Sequence, residues 1–223
     1  MNNFANIESF VKERLGSETS GHDHYHCFRV KTTAEKIAEH EKNCDLTVII
    51  CAALLHDVPD VKICKDVEQA KNDIKQILKE SNISVSQIEH IMSIISNLSY
   101  KGADVDTTMK TIEGKIVQDA DRLDAIGAIG IARCFAYGGH ANRPIYDPNI
   151  KPVLHSSEEE YRKSKGTSLC HFYEKLLLLK DRMQTKSGKK IAEERHKYIE
   201  AFLNQFLIEW DGKDIETILS KDE

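Results

Sequence analysis

The segment Leu46–Leu55, LTVIICAALL, is apolar on nearly every side of a helix and runs directly into His56 and Asp57. A helix that is hydrophobic all round has no face to offer water, so other elements must wrap it. The chain therefore has to build its fold around this rod. The wrapping elements also read as helices, because 4 Pro and 11 Gly in 223 residues leave little material for hairpin turns. A chain of this length can bury about 70% of its unfolded surface in one domain without disulfides.

From Gly21 to Glu41, apolar residues recur at Cys27, Val30, Ala34, Ile37 and Ala38, a spacing near 3.6 that predicts an amphipathic helix. Pro59 disfavours helical geometry just before it and so ends the central rod near the His-Asp pair. Two helices are expected next, DVEQAKNDIKQILKE and VSQIEHIMSIISNL, the second with Ser84 as N-cap and Gln87 three residues on. After the polar loop GADVDTTMK, the run IEGKIVQDADRLDAIGAIGIARCFAYGG reads as one long helix. In it Gly127 and Gly130 permit close helix approach, and Gly138-Gly139 form its end. The stretch His140 to Thr167 is polar, contains proline and exceeds a simple connection, so it is read as a lid or an ordered excursion. SLCHFYEKLLLLKDRM and KKIAEERHKYIEAFLNQFLIEW then close the chain as two helices. The expected architecture is an all-α bundle in a single domain over 1–223, with a core about 20–137, the excursion 138–167 and the closing helices 168–212.

Six cysteines without any C-x-x-C spacing read as reduced core thiols, which points to the cytoplasm. There is no charged leader with an apolar core, and no apolar run approaches ~18 residues, so neither secretion nor a membrane partner is expected. A net charge of −5 argues against broad nucleic-acid binding. An anionic ligand would have to be met by local cations.

Counting 100° per residue, His26 falls on the core-facing stripe of its helix, His24 falls roughly opposite, and His22 lies on the stripe's flank, where it either supports a site from behind or is exposed. Burying His56 and Asp57 at the end of an apolar rod is costly unless something pairs with them. A divalent cation would satisfy both, and a hydrogen-bonded core pair is the alternative. QDADRLDA supplies three further acids. Asp119 points toward Arg122 and Ile126, so a partly exposed ion pair accounts for it. Asp121 shares its face with Val117, Ala125 and Ala128, and Asp124 lies near Val117 and Ala128, which leaves either as the inward acid with a slight preference for Asp121. Arg29 and Arg122 are read as holding helices together by pairing with acids.

HCFRV, LLHDVPD and DADRLDA together resemble the ordered H…HD…D pattern of the HD-domain metal-dependent phosphohydrolase superfamily. With GHDHYHCFRV, AIGAIGIARCFAYGG, RPIYDP and HFYEKLLLLKDRM, the resemblance covers nearly the whole chain. It extends to a bacterial subgroup that includes manganese-dependent nucleotide pyrophosphohydrolases. The resemblance implies an HD-type helical bundle with the metal site between central helices. It makes His26, His56, Asp57 and Asp121 the metal ligands, choosing Asp121 over Asp124, and maps an acid that follows the HD pair in many relatives onto Asp60. In some relatives that acid is followed by another, whereas here Val61 follows Asp60. Two imidazoles and two carboxylates suit Mn²⁺, with Mg²⁺, Co²⁺, Fe²⁺, Ni²⁺ or Zn²⁺ as alternatives.

No G-x-x-x-x-G-K-[ST] loop is present, so phosphates would be held by the metal and by cations, for which Lys62, Arg143 and Lys175 are the candidates. Tyr100 and Tyr146 are either base-stacking or core residues. The expected reaction is hydrolysis of (deoxy)nucleoside triphosphates to monophosphate and pyrophosphate, with Asp60 activating water. A nucleoside 5′-monophosphatase or phosphodiesterase is the enzymatic alternative, and a metal-dependent nucleotide-binding module the non-enzymatic one. The expected partner is a small nucleotide, and both monomer and homodimer are compatible with the sequence.

Overall fold

In the computed structural model the described residues are 4–16, 21, 23–60, 64–163 and 165–215, without the side chains of residues 158, 161 and 162. Among them there are helices and no strand: α1 Ala5–Leu15, α2 His24–Ala38, α3 Leu46–Leu55, α4 Val67–Glu80, α5 Val85–Asn97, α6 Ile112–Asp124, α7 Gly127–His140, α8 Glu158–Lys163, α9 Ser168–Glu174 and α10 Lys186–Trp210. The molecule is thus all-α, as its sequence predicts. Among the described residues, no helix is long and apolar enough to cross a membrane.

The all-apolar rod is α3, and every residue from Val48 to Leu55 is buried. It packs against α2, α5, α6 and α1. Asp45 caps its start by accepting from the amides of Thr47 and Val48. α2 covers α3 with the predicted stripe, in which His26, Cys27, Val30, Ala34, Ile37 and Ala38 are buried. The capping box at Ser84 and Gln87 forms as read from the sequence.

Three elements differ from the sequence reading. The single long helix expected after Ile112 is two helices, because Gly127 adopts φ +75, a left-handed conformation that interrupts the helical path between Asp124 and α7. α7 then turns so closely over the end of α6 that a Cβ on Gly130 would collide with the backbone of Ala125. At its far end α7 continues through Gly138-Gly139 to His140. SLCHFYEKLLLLKDRM is not one helix either: α9 stops at Glu174, where Lys175 adopts φ −142, and two 3₁₀ turns follow at Leu176–Leu178 and Lys180–Arg182. α1, whose Ile7, Val11 and Leu15 are buried, went unread in the sequence.

The segment after α7 carries little regular structure, yet its backbone is tied down. The amides of Ser168 and Leu169 donate to the carbonyls of Pro144 and Ile145, and Ala103 donates to the carbonyl of His155. The Val153 amide donates to the buried carboxylate of Glu174. Arg182 donates to the carbonyls of Ala103 and Val105, joining the turn after α9 to the loop before α6.

Candidate metal centre

Three helices deliver four side chains to one point. His26 stands near the start of α2, where Asp23 caps the helix by accepting from the His26 amide at 2.9 Å. His56 is the C-cap of α3 and Asp57 follows it, so both polar groups appear where the apolar rod ends. Asp121 comes from α6. The His26 Nε2 and His56 Nε2 atoms lie 3.2 Å apart. Asp57 approaches His26 Nε2 at 3.4 Å and His56 Nε2 at 3.3 Å. Asp121 Oδ1 lies 3.3 Å from His26 Nε2 and 3.6 Å from His56 Nε2. The other three are buried, whereas the Asp121 side chain keeps 30% of its surface exposed and so marks the open side of the cluster.

The far side of each imidazole is engaged as well. His26 Nδ1 lies 2.7 Å from Asp124 Oδ2, and His56 Nδ1 lies 2.9 Å from the carbonyl oxygen of Ala53. Both acceptors require Nδ1–H, which leaves both Nε2 lone pairs directed into the cluster. Two such lone pairs cannot face each other at hydrogen-bonding distance without a proton or a cation between them. Burial pushes the His56 imidazole down, but the carboxylates of Asp57 and Asp121 outweigh it and raise its pKa to about 9. Burial likewise pushes Asp121 up, and the two imidazoles overcome this and hold it well below the usual carboxylate range. A set of two nitrogen and two carboxylate donors, buried except at Asp121 and with the imidazoles already oriented, fits a divalent cation. His26, His56 and Asp57 alone place one ligand atom each within 4.8 Å of one another.

The three aspartates of α6 occupy three environments. Asp121 joins the cluster. Asp124 is buried on its other side, where burial is outweighed by His26, Arg29 and Arg133 and the carboxyl is held far below its ordinary pKa. Asp119 corrects the sequence reading, because it is not in a partly exposed ion pair but fully buried. It accepts from the Gln184 and Thr185 amides and the Thr185 hydroxyl, and so anchors the start of α10. A Cβ on Gly188 would collide with its carboxylate, which is why α10 begins with a glycine in its first turn. Arg29 pairs with Asp124 as expected. Arg122 instead donates to the carbonyl of Arg182 at 2.5 Å and to the Thr107 hydroxyl at 2.8 Å.

Of the proposed substrate cations, Lys175 follows the end of α9. Its ammonium is lowered by burial and by Arg133 and Arg122, with Asp121 opposing, which places it within electrostatic reach of the cluster. Lys175 Nζ also stands 5.3 Å from the centre of the Tyr100 ring. Arg143 rests over Tyr137 at 5.7 Å, and its amide donates to the Gly138 carbonyl. Its charge acts together with that of Lys175 on the Cys134 thiol, which burial raises to about 12. Lys62 and His22 lie outside the described residues. The Asp60 amide donates to the carbonyl of Asp57, so a tight turn holds the Asp60 backbone next to that residue. The tyrosines belong to packing: Tyr100 carries Arg182 as well as Lys175 over its ring, and Tyr146 meets Phe206 and Trp210 edge-on. Sequence reasoning missed Arg133, which an α7 face turned toward α6 could have disclosed.

Residues 24–126 match the HD domain family model. The YpgQ protein of Bacillus subtilis is 36% identical over 212 residues, 95% of each chain. A crystal structure of YpgQ in complex with ADP superposes with a TM-score of 0.70 at 34% identity, covering 90% of this chain and 93% of that one. An HD-superfamily hydrolase from Bacillus thuringiensis is 44% identical with a TM-score of 0.70, covering 92% and 95%. A Lactobacillus plantarum protein is 37% identical with a TM-score of 0.84, covering 94% and 97%.

Proposed function

The chain belongs to the HD domain family, and on that premise we propose that it is a metal-dependent phosphohydrolase that cleaves (deoxy)nucleoside triphosphates to monophosphate and pyrophosphate. The observation that carries this reading is the convergence of His26, His56, Asp57 and Asp121 at one point, with the charge of Asp121 felt by the Lys175 ammonium. Those four residues would hold the cation, for which we propose Mn²⁺. A bound divalent cation supplies Lewis acidity, polarising a phosphoryl oxygen and acidifying water.

The chain's own groups account for the rest. In this reading Lys175 stabilises phosphate oxygens through charge-assisted hydrogen bonds, and Arg143 is proposed as a further phosphate-binding cation. Asp60, held beside Asp57, accepts the proton of the attacking water. Water adds to the α-phosphorus, the bond from that phosphorus to the bridging oxygen breaks, and pyrophosphate leaves. The ADP complex of YpgQ supports a nucleotide as the substrate class.

Product analysis of the purified chain tests this reading, using a panel of nucleotides with Mn²⁺ and other divalent ions. Pyrophosphate and a nucleoside monophosphate are the expected products. Orthophosphate from a monophosphate would instead identify a 5′-nucleotidase, cleavage of a diester a phosphodiesterase, and binding without turnover a nucleotide-binding module. Asp60→Asn is expected to retain the metal and lose turnover, and unchanged kcat would remove Asp60 as the base.

A further inference from the structure

We infer that Asp124 is the positioning residue of the metal centre, and that Arg29 and Arg133 hold its carboxylate in place. The inference rests on the reading of His26, His56, Asp57 and Asp121 as metal ligands. Asp121 and Asp124 are three residues apart on α6, and that spacing puts two side chains on one face, about 5–6 Å apart at Cβ. The imidazole of His26 spans the gap, with Nε2 3.3 Å from Asp121 and Nδ1 2.7 Å from Asp124. One helix therefore grips the ring at both nitrogens.

Asp124 is itself fixed. Arg29 donates from Nε to Oδ1 at 2.8 Å and from its terminal nitrogen to Oδ2 at 2.9 Å, a two-pronged contact that sets the carboxylate plane. Arg133 donates to Oδ2 at 3.1 Å and, through Nε, to the Gly21 carbonyl at 2.7 Å. The carboxylate thus joins α2, α6 and α7 to the chain just before α2. His56 has no equivalent, because its Nδ1 partner is a carbonyl of its own helix. A carboxylate behind a ligand imidazole fixes its tautomer and raises its basicity, and losing such a partner typically costs about 10–100-fold in metal affinity.

The test is Asp124→Ala in the full chain, followed by two readouts: Mn²⁺ affinity by paramagnetic resonance or calorimetry, and the ¹⁵N shifts of His26 without metal. We expect Kd to rise about 10–100-fold and the Nδ1–H tautomer of His26 to lose its dominance. Asp119→Ala is the control for general destabilisation, since it strands buried donors at the start of α10 and its hydrogen bonds to Gln184 and Thr185 do not reach the cluster; its Kd is expected to match the parent protein. Should Asp124→Ala fail to fold, Asp124→Asn keeps the shape while removing the charge and is expected to shift Kd in the same direction. A folded variant with parental Kd and an unchanged His26 tautomer overturns the inference, because an ion pair serving only the fold would lower Tm alone. If the parent protein binds no metal, the ligand reading fails separately. The ¹⁵N shifts then decide the positioning role: loss of the Nδ1–H form in the variant upholds it, and retention overturns it.

Discussion

The two sides of the candidate centre are made of different material. The ligand side consists of α2, α3 and α6, whose regular geometry sets the spacing of His26, His56, Asp57 and Asp121 through buried apolar faces. The proposed cation side consists of irregular chain around Tyr100 and Lys175, held by contacts such as Arg182 to the Ala103 and Val105 carbonyls. A metal set tolerates errors of only a few tenths of an ångström, so rigid helices suit it. Phosphate oxygens can be met by a lysine on a non-helical turn, because an ammonium is a point charge with rotatable donors.

This contrast predicts that damage to the ligand side is far costlier. His56→Ala and Asp57→Ala are each expected to abolish Mn²⁺ binding and lower kcat/KM by more than about 10³-fold, with helical content by circular dichroism little changed. Full activity in either variant after metal stripping and Mn²⁺ titration would break the assignment. Asp119 gives the next effect, in stability alone. Asp119→Ala strands buried donors at Gln184 and Thr185 and is expected to cost about 2–4 kcal/mol in denaturant unfolding, with the metal affinity of the folded fraction unchanged.

The ligand side should also respond to pH before any substrate is present. His56 is raised from 6.5 to about 9, so its contribution to the stability of the metal-free fold is fully present below pH 6.5 and is lost as pH rises through 9. A cation competes with that proton. Mn²⁺ affinity should therefore climb about tenfold per pH unit from 6.5 to 9 and then level off. Calorimetry showing a flat Kd over that range would contradict the protonated resting cluster. The smallest effect belongs to the cation side: Lys175→Ala is expected to raise KM roughly tenfold while leaving Mn²⁺ affinity intact, the loss of one charge-assisted hydrogen bond. A variant whose metal affinity fell with its KM would merge the two sides into one structural unit.

Sequence periodicity sufficed for α2, α3 and α5, since a buried stripe and a capping box are written within one or two turns of chain. The ordered motifs also placed His26, His56, Asp57 and Asp121 in one ligand set, and the structure brings these four together. Helical angles alone left Asp121 and Asp124 unresolved, and both do face His26, from opposite nitrogens. The break at Gly127 was read as close packing because a glycine's sequence does not state the sign of its φ.

What the sequence by itself determined is the all-helical class, the central rod and the polar pair at its end, all consequences of local pattern and of the cost of exposing apolar surface. Tertiary structure decided the separate work of the three α6 aspartates. Asp119 meets partners 65 and 66 residues away, and Asp124 meets Arg29 and His26 at separations of 95 and 98. A carboxylate's role follows from which donors surround it after folding, and those donors arrive on helices whose packing no single stretch of chain encodes.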